Sequence, residues 1–156
     1  MSSQKTVQIL AAALGMSATA IAESSWGCAA SGGPGADRVA EGAFYYANIF
    51  GAGTNTVRSL FTQGVHCNGI AFYALNTVGY DTEDTPEKRQ KAVNAASQVG
   101  DGNTCAWGGD TAQDYEYGTE DAFTCASAGG VYSAACCITD CDGNIVEGTG
   151  CADSSM

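Results

Sequence analysis

Apolar residues recur at helical spacing in three segments between residues 36 and 100, and this pattern predicts three helices. The first predicted helix is Asp37–Phe50, which the glycines at positions 51 and 53 end. One face of this helix is apolar along its whole length. That face consists of Val39, Ala43, Tyr46, Ala47 and Phe50.

The second segment has the strongest period in the chain and predicts one long helix that starts at Thr54 or Asn55. Gly64 and Gly69 weaken this prediction, because a glycine inside a helix costs up to about 1 kcal/mol relative to alanine. The positions on the predicted face are Val57, Leu60, Phe61, Gly64, Val65, Asn68, Ala71, Phe72, Leu75 and Val78.

The third segment begins with a recognisable helix start. Thr85 supplies a hydroxyl cap, Pro86 suits the first turn, and Glu87 lies near the positive end of the helix dipole. Gly100 ends this helix. Its apolar stripe consists of Ala92, Val93, Ala96 and Val99. Residues 36–100 are therefore predicted to form one small helical core.

Beyond Gly100 the chain has short segments separated by turn signals such as Asp142-Gly143. Val131–Thr139 predicts a strand, and Asn144–Glu147 predicts the returning strand of a β-hairpin. The predicted fold class is α+β. A small core of about three helices is followed by a disulfide-rich region of loops and a β-hairpin at residues 101–156.

The net negative charge of the chain disfavours nucleic acids and anionic membranes as partners. The chain has 156 residues, enough for one domain, and its 17 acidic and 6 basic residues give a net charge of −11. Residues 101–156 contain 10 acidic residues and no basic one. Nucleic-acid binding needs clustered lysine and arginine, so we expect no nucleic-acid partner. The same charge disfavours an anionic membrane surface.

The N-terminus indicates export. Lys5 precedes the uncharged run Thr6–Ala22, whose Ala20-Ile21-Ala22 end is typical of a cleaved signal peptide. Residues 1–22 therefore predict a secreted protein, extracellular or periplasmic, with no stable membrane span after processing. The alternative is that residues 1–22 are retained as a functional helix of the mature protein. Residues 23–35 are rich in glycine and serine and predict a linker.

Eight cysteines are an even number and a high density, which in an exported protein predicts disulfides. The simplest partner for Cys28 is Cys67, although the sequence alone cannot assign pairs. No Cys-x-x-Cys pair is present, which disfavours both a thioredoxin-type redox site and structural zinc. The eight are Cys28, Cys67, Cys105, Cys125, Cys136, Cys137, Cys141 and Cys151.

Calcium is the one cofactor that the sequence suggests. Four oxygen-bearing side chains lie within eight residues of an acidic, turn-forming segment, the type of loop that calcium prefers. They are Asp140, Asp142, Asn144 and Glu147. The segment is not an EF-hand, because Gly143 comes too early and no glutamate follows at the twelfth position. The other interpretation is a solvated acidic turn, since Asp-Gly-Asn is a good turn sequence.

The only histidine, His66, is adjacent to Cys67 on the predicted long helix. Neighbours on a helix point about 100° apart, so the two side chains would not face each other as a catalytic pair requires. We interpret His66 as a residue of the helix surface or of the edge of the core. No catalytic residue is assigned.

A disulfide-closed loop from Cys141 to Cys151, behind an N-terminal helix, resembles the layout of type IV pilins. The processing motif of that family is a glycine followed by an aromatic residue or methionine and an apolar run with an early glutamate. That motif is missing from residues 1–22. The resemblance in layout implies the subunit of an extracellular filament or surface assembly that retains its N-terminal helix.

These observations favour an exported, disulfide-stabilised structural or interaction protein without catalytic activity. Its partner would be another protein or a second copy of itself. One alternative is the filament subunit with residues 1–22 retained. The other is a secreted hydrolase that uses acidic residues of segment 110–121, where carboxylates lie among aromatic residues.

Overall fold

A computed structural model describes residues 26–29, 32–96, 104–110, 113–122, 135–148 and 150–151. The predicted signal peptide at residues 1–22 and the predicted disulfide residue Cys125 lie outside these ranges. The strands are β1 (Trp26–Ala29), β2 (Asn55–Val57), β3 (Phe61–Cys67), β4 (Ile70–Asn76), β5 (Thr82–Asp84), β6 (Thr104–Asp110), β7 (Gln113–Thr119), β8 (Ala135–Thr139) and β9 (Ile145–Gly148). The helices are α1 (Val39–Phe50) and α2 (Pro86–Ala96), with 3-10 turns at Ala36–Arg38 and Glu120–Ala122.

Seven of the described strands form one sheet in the order β1-β6-β7-β4-β3-β8-β9. All neighbours in this sheet are antiparallel except β3 and β8, which run parallel. Strands β2 and β5 form a separate antiparallel pair. Both helices pack against one face of the large sheet, α1 against β3 and β4 and α2 against β1, β6 and β7.

Helix α1 confirms the first predicted helix. It buries Val39, Gly42 and Tyr46, which share one face at helical spacing. Helix and sheet approach closely at Gly42, where an added Cβ would lie 3.1 Å from Cγ2 of Ile70. The helix ends at Gly51, whose φ of +116° is accessible mainly to glycine.

Helix α2 confirms the predicted start of the third helix. The backbone N–H of Lys88 donates a hydrogen bond to the hydroxyl oxygen of Thr85 at 3.1 Å, so Thr85 is the cap. Ala92 and Ala96 are buried as the apolar stripe predicted, and Val93 packs against the core. The predicted end at Gly100 lies outside the described residues.

The predicted long helix is wrong: this segment forms the antiparallel hairpin of β3 and β4. Asn68 and Gly69 connect the strands with φ of +53° and +83°, the backbone that a two-residue type I′ hairpin turn requires. The described residues therefore contain two helices instead of about three. The α+β class is confirmed, but a purely helical core at residues 36–100 is not.

The physical reason for the error is that the hairpin is buried on both faces. Phe72 and Ala74 face the helices, whereas Ala71, Tyr73 and Leu75 belong to a second cluster on the opposite face. A strand that is buried on both sides lacks alternation of apolar and polar residues, so a helical period can be fitted to it.

The large sheet draws strands from both predicted regions, so residues 36–100 and 101–156 share one sheet. Strand β1 lies within the predicted linker at residues 23–35 and pairs with β6. The predicted C-terminal hairpin is confirmed where it is described, because β8 and β9 are antiparallel neighbours. Residues 131–134 of its predicted first strand lie outside the described residues. In the part of the chain that the structure describes, no helix is long and apolar enough to cross a membrane.

Replacing Gly64 with alanine is expected to destabilise the protein by about 1–3 kcal/mol. A Cβ at this position would lie 2.6 Å from Cε1 of Tyr73, whose ring covers Gly64 from the neighbouring strand. The Tyr73 ring is fully buried, so it cannot move aside cheaply. Gly53→Ala is the control, since an added Cβ there meets nothing within 4 Å. Denaturant unfolding of both variants checks the difference, and equal midpoints would contradict it.

Candidate functional site

A buried group of polar side chains surrounds Asp84, at the end of β5 and just before α2. Asp84 is 0 % exposed. Its Oδ2 accepts hydrogen bonds from the Tyr46 hydroxyl at 3.0 Å, Asn55 Nδ2 at 3.2 Å and Arg89 NH1 at 2.6 Å. Its Oδ1 accepts one from the Tyr115 hydroxyl at 2.5 Å. We call these residues, together with Gln63, the Asp84 cluster.

Arg89 completes the cluster from α2. The side chain is 6 % exposed, and its NH2 donates to the carbonyl oxygens of Ala52 at 2.6 Å and Gly53 at 3.0 Å. Gln63 Nε2 donates to the Tyr46 hydroxyl at 2.7 Å. The Asp84 cluster thereby joins α1, α2, β5 and β7 through charge-assisted hydrogen bonds, and the neutral bond from Gln63 adds β3.

The Asp84 cluster holds neighbouring elements of the fold together. A carboxylate has about four acceptor positions, and Asp84 uses four of them on neighbouring side chains. Burial raises the pKa of the Tyr46 and Tyr115 hydroxyls, and the negative charge of Asp84 raises both further. Both tyrosines therefore stay protonated and donate to Asp84. No pattern in the sequence predicts this cluster, because Tyr46, Asp84 and Tyr115 lie far apart in the chain.

A second polar contact lies on the opposite face of the sheet. His66 is on β3, not on a helix, and its Nε2 is 2.6 Å from the Tyr73 hydroxyl on β4. The two rings are stacked with their planes 10° apart. Burial lowers the pKa of His66, and burial raises the pKa of Tyr73. The imidazole is therefore neutral and the hydroxyl protonated near pH 7, and the tautomer of His66 sets which of the two donates.

The pKa of His66 gives a pH prediction. Because its folded-state pKa lies below the ordinary value of 6.5, the unfolded chain binds more protons as pH falls below 6.5. The free energy of unfolding should therefore decrease from pH 6.5 down to the folded-state pKa. The nearby carboxylates of Glu120, Glu147 and Asp121 oppose the shift and reduce the effect. Between about pH 7.5 and about pH 5.5, the free energy of unfolding, measured with denaturant, should decrease less for His66→Gln than for the parent protein. An identical decrease in the two proteins would contradict the lowered pKa of His66.

The acidic residues of segment 110–121 occupy different environments. Asp114 accepts a hydrogen bond from Thr77 Oγ1 at 3.5 Å, and Glu116 is the register partner of Tyr73. Glu120 Oε2 accepts the backbone N–H of Gly69 at 2.7 Å and so braces the β3–β4 turn. Asp121 is exposed. The hydrolase alternative stays a prediction.

The four predicted calcium ligands lie in and after the turn between β8 and β9. Asp140 Oδ1 accepts the backbone N–H groups of Asp142 at 2.8 Å and Asn144 at 2.9 Å, and these bonds lower its pKa. Asn144 Nδ2 donates to Asp140 Oδ2 at 3.3 Å. Glu147 lies in β9, opposite Ile138. The described residues contain no group of three acidic, histidine or cysteine side chains placed to hold a metal. Calcium stays a prediction.

The disulfides confirm that the cysteines of the described residues are oxidised, and they correct the expected pairing. Cys28 pairs with Cys105 instead of Cys67, because β1 and β6 are register partners at that point. Cys67 pairs with Cys141 at the β8–β9 turn. Every cysteine in the described residues is disulfide-bonded, Cys136 included.

The β8–β9 hairpin is covalently held at both ends. Cys141 in the turn is joined to Cys67 at the end of β3, and Cys137 of β8 is joined to Cys151 beyond β9. Cys141 and Cys151 therefore belong to different disulfides, so the pilin-like loop between them is not closed as the sequence analysis expected. The result is a rigid hairpin at one end of the sheet.

The outer strand of this hairpin is exposed. Ile145 and Val146 of β9 are 59 % and 52 % exposed, and one long side of β9 has no partner among the described strands. Such an edge presents backbone donors and acceptors that can pair with another strand. We call Ile145–Gly148 the β9 edge. Sequence analysis predicted the strand, but it had no means of placing it at the end of the sheet.

Comparison with protein-family models, curated proteins and solved structures finds no match for this chain.

Proposed function

We propose that this chain is an exported, disulfide-stabilised structural or interaction protein that binds another protein strand through the β9 edge. The observation that carries the proposal is the combination of an exposed apolar edge strand with disulfides that hold its hairpin at both ends. Catalysis has no part in this role, and neither nucleic acid nor a membrane surface is its partner.

Disulfides support export. They persist in oxidising compartments and are rare in the cytosol, where thiols are kept reduced. All cysteines of the described residues are oxidised, and three disulfides link segments that are 77, 74 and 14 residues apart in the chain. This pattern agrees with the signal peptide predicted at residues 1–22.

The β9 edge supports binding. Natural edge strands are usually protected by lysine, proline, bulges or short length. Strand β9 is four residues long and pairs with β8 through a register shift, but it contains neither lysine nor proline and carries two exposed aliphatic side chains. Because the hairpin is held by disulfides, little conformational entropy is lost when a partner strand binds.

The test of export is the intact mass of the native protein from the secreted or periplasmic fraction, unreduced and then reduced and alkylated. We expect a chain that starts at Glu23 and has no free thiol before reduction. Several free thiols, or recovery from the cytosol alone, would overturn the proposal. A mass that retains Met1 or Ser2 would instead favour the filament alternative with the N-terminal helix retained.

A further inference from the structure

We infer that the partner of the β9 edge is strand β1 of a second copy of this chain, so that copies join head to tail into an open-ended polymer. This inference rests on the proposed function, and it identifies the strand that the β9 edge binds. In the sheet that the described strands form, β1 and β9 are the two end strands. Each copy therefore has two different end strands in this sheet.

Strand direction supports this pairing. A sheet of seven strands with only antiparallel neighbours would have end strands that run the same way. Here the single parallel pair of β3 and β8 reverses that relation, so β1 and β9 run in opposite directions. A second copy placed beside the first in the same orientation thus brings β9 antiparallel to β1. The sheet continues across the junction with the more stable ladder geometry.

Charge favours β1 over a second β9 as the partner. Strand β1 has the sequence WGCA and carries no charge, whereas β9 carries Glu147 and follows the acidic turn that contains Asp142. A symmetric pair of two β9 edges would bring the acidic residues of both copies together, and like charges across a strand pair are destabilising. Pairing β9 with β1 avoids that repulsion.

A disulfide lies next to each of the two end strands. Cys28–Cys105 joins β1 to its neighbour β6 at one end of the sheet, and Cys137–Cys151 secures the hairpin at the other end. Cys28–Cys105 thus ties β1 to β6, and Cys67–Cys141 ties the turn that precedes β9 to β3. Because sheets twist, successive copies would rotate relative to one another and form a helical filament.

The experiment measures self-association of the oxidised full chain by sedimentation velocity over a range of protein concentrations, followed by electron microscopy. We expect species that grow in size with concentration without reaching a closed oligomer. Growth should increase with salt, because salt screens the repulsion between copies that each carry a strong net negative charge.

Two variants with the same charge change separate edge pairing from nonspecific association. Val146→Lys places a lysine on the β9 edge and should weaken association at least tenfold. Phe44→Lys replaces another exposed apolar residue, on α1 and away from the edge, and should leave association unchanged. Both variants reduce the net negative charge, so nonspecific repulsion would decrease equally in both. Equal behaviour of the two would overturn the inference.

Photo-crosslinking from a benzoylphenylalanine at position 146 identifies the partner strand. Cross-links to residues 26–29 of another copy are expected. Cross-links confined to residues 145–148, together with a closed dimer, would overturn head-to-tail pairing. A strictly monomeric chain would overturn it as well. If that monomer is exported, oxidised and crosslinks through position 146 to a different protein, the proposed function stands while this inference fails.

Discussion

Asp84→Asn is expected to lower the free energy of unfolding by about 3–5 kcal/mol. The substitution keeps the size of the side chain but removes the negative charge that Arg89 faces at 2.6 Å. Arg89 is almost fully buried, so its charge would lose its only buried counterion in the described residues. An uncompensated charge in the protein interior is far more costly than the loss of a surface ion pair.

Denaturant unfolding with the disulfides intact measures this effect, provided that the slope of the transition is unchanged. Glu83→Gln is the matched control, because Glu83 is the exposed neighbour of Asp84 in β5 and loses the same charge. It should change stability by less than about 0.5 kcal/mol. The double variant Asp84→Asn/Arg89→Gln should cost less than the sum of its single substitutions. A stability of Asp84→Asn within about 1 kcal/mol of the parent would contradict the role of the Asp84 cluster.

Removal of the Cys28–Cys105 disulfide is expected to destabilise the protein by about 4.5 kcal/mol, because it spans 77 residues and restricts the unfolded chain strongly. Removal of Cys137–Cys151 should cost about 3 kcal/mol, since it spans only 14 residues. The difference follows from chain entropy: a longer loop loses more conformations when it is closed in the unfolded state.

Paired serine variants of each disulfide, compared by denaturant unfolding, test the order of the two effects. The serine pair at positions 137 and 151 is the matched reference, because it removes the same number of sulfur atoms. A larger loss for that pair than for the pair at 28 and 105 would contradict the chain-entropy explanation. Should the Cys28–Cys105 variant fail to fold, stepwise reduction of the parent protein gives the same comparison.

Helix ends and turns could be predicted because their signals are local. The hydroxyl of Thr85 next to Pro86 predicts the start of α2, and Thr85 does cap that helix. Asp142-Gly143 predicts the β8–β9 turn for a similar reason, and the carboxylate of Asp140 stabilises it. These features depend on residues a few positions apart, so the sequence contains all of their determinants.

The β3–β4 hairpin shows where a local signal was available and was outweighed. Asn68-Gly69 is a strong signal for a two-residue hairpin turn, and both residues adopt positive φ. The apolar run on either side has a helical period only because both faces of the sheet are buried. Placing more weight on the Asn-Gly pair than on the period would have predicted the hairpin.

The Asp84 cluster could not be predicted, because its members come from distant parts of the chain. Tyr46 and Tyr115 are far apart in sequence and lie on a helix and a strand, yet both hydroxyls reach one carboxylate. The same holds for the β9 edge, whose exposure depends on the order of strands in the sheet. Neither pattern leaves a periodic signal in the sequence.

The sequence by itself determined the acidic charge, the oxidised state of the described cysteines, both described helices and the C-terminal hairpin. Each follows from composition or from contacts between near neighbours. Only the tertiary structure decided which cysteines pair, which strands become edges and where the charges of Asp84 and Arg89 meet. All three depend on which strands become neighbours in the sheet. Local sequence does not decide between the possible strand orders, whereas the burial of apolar side chains on the faces of the sheet does.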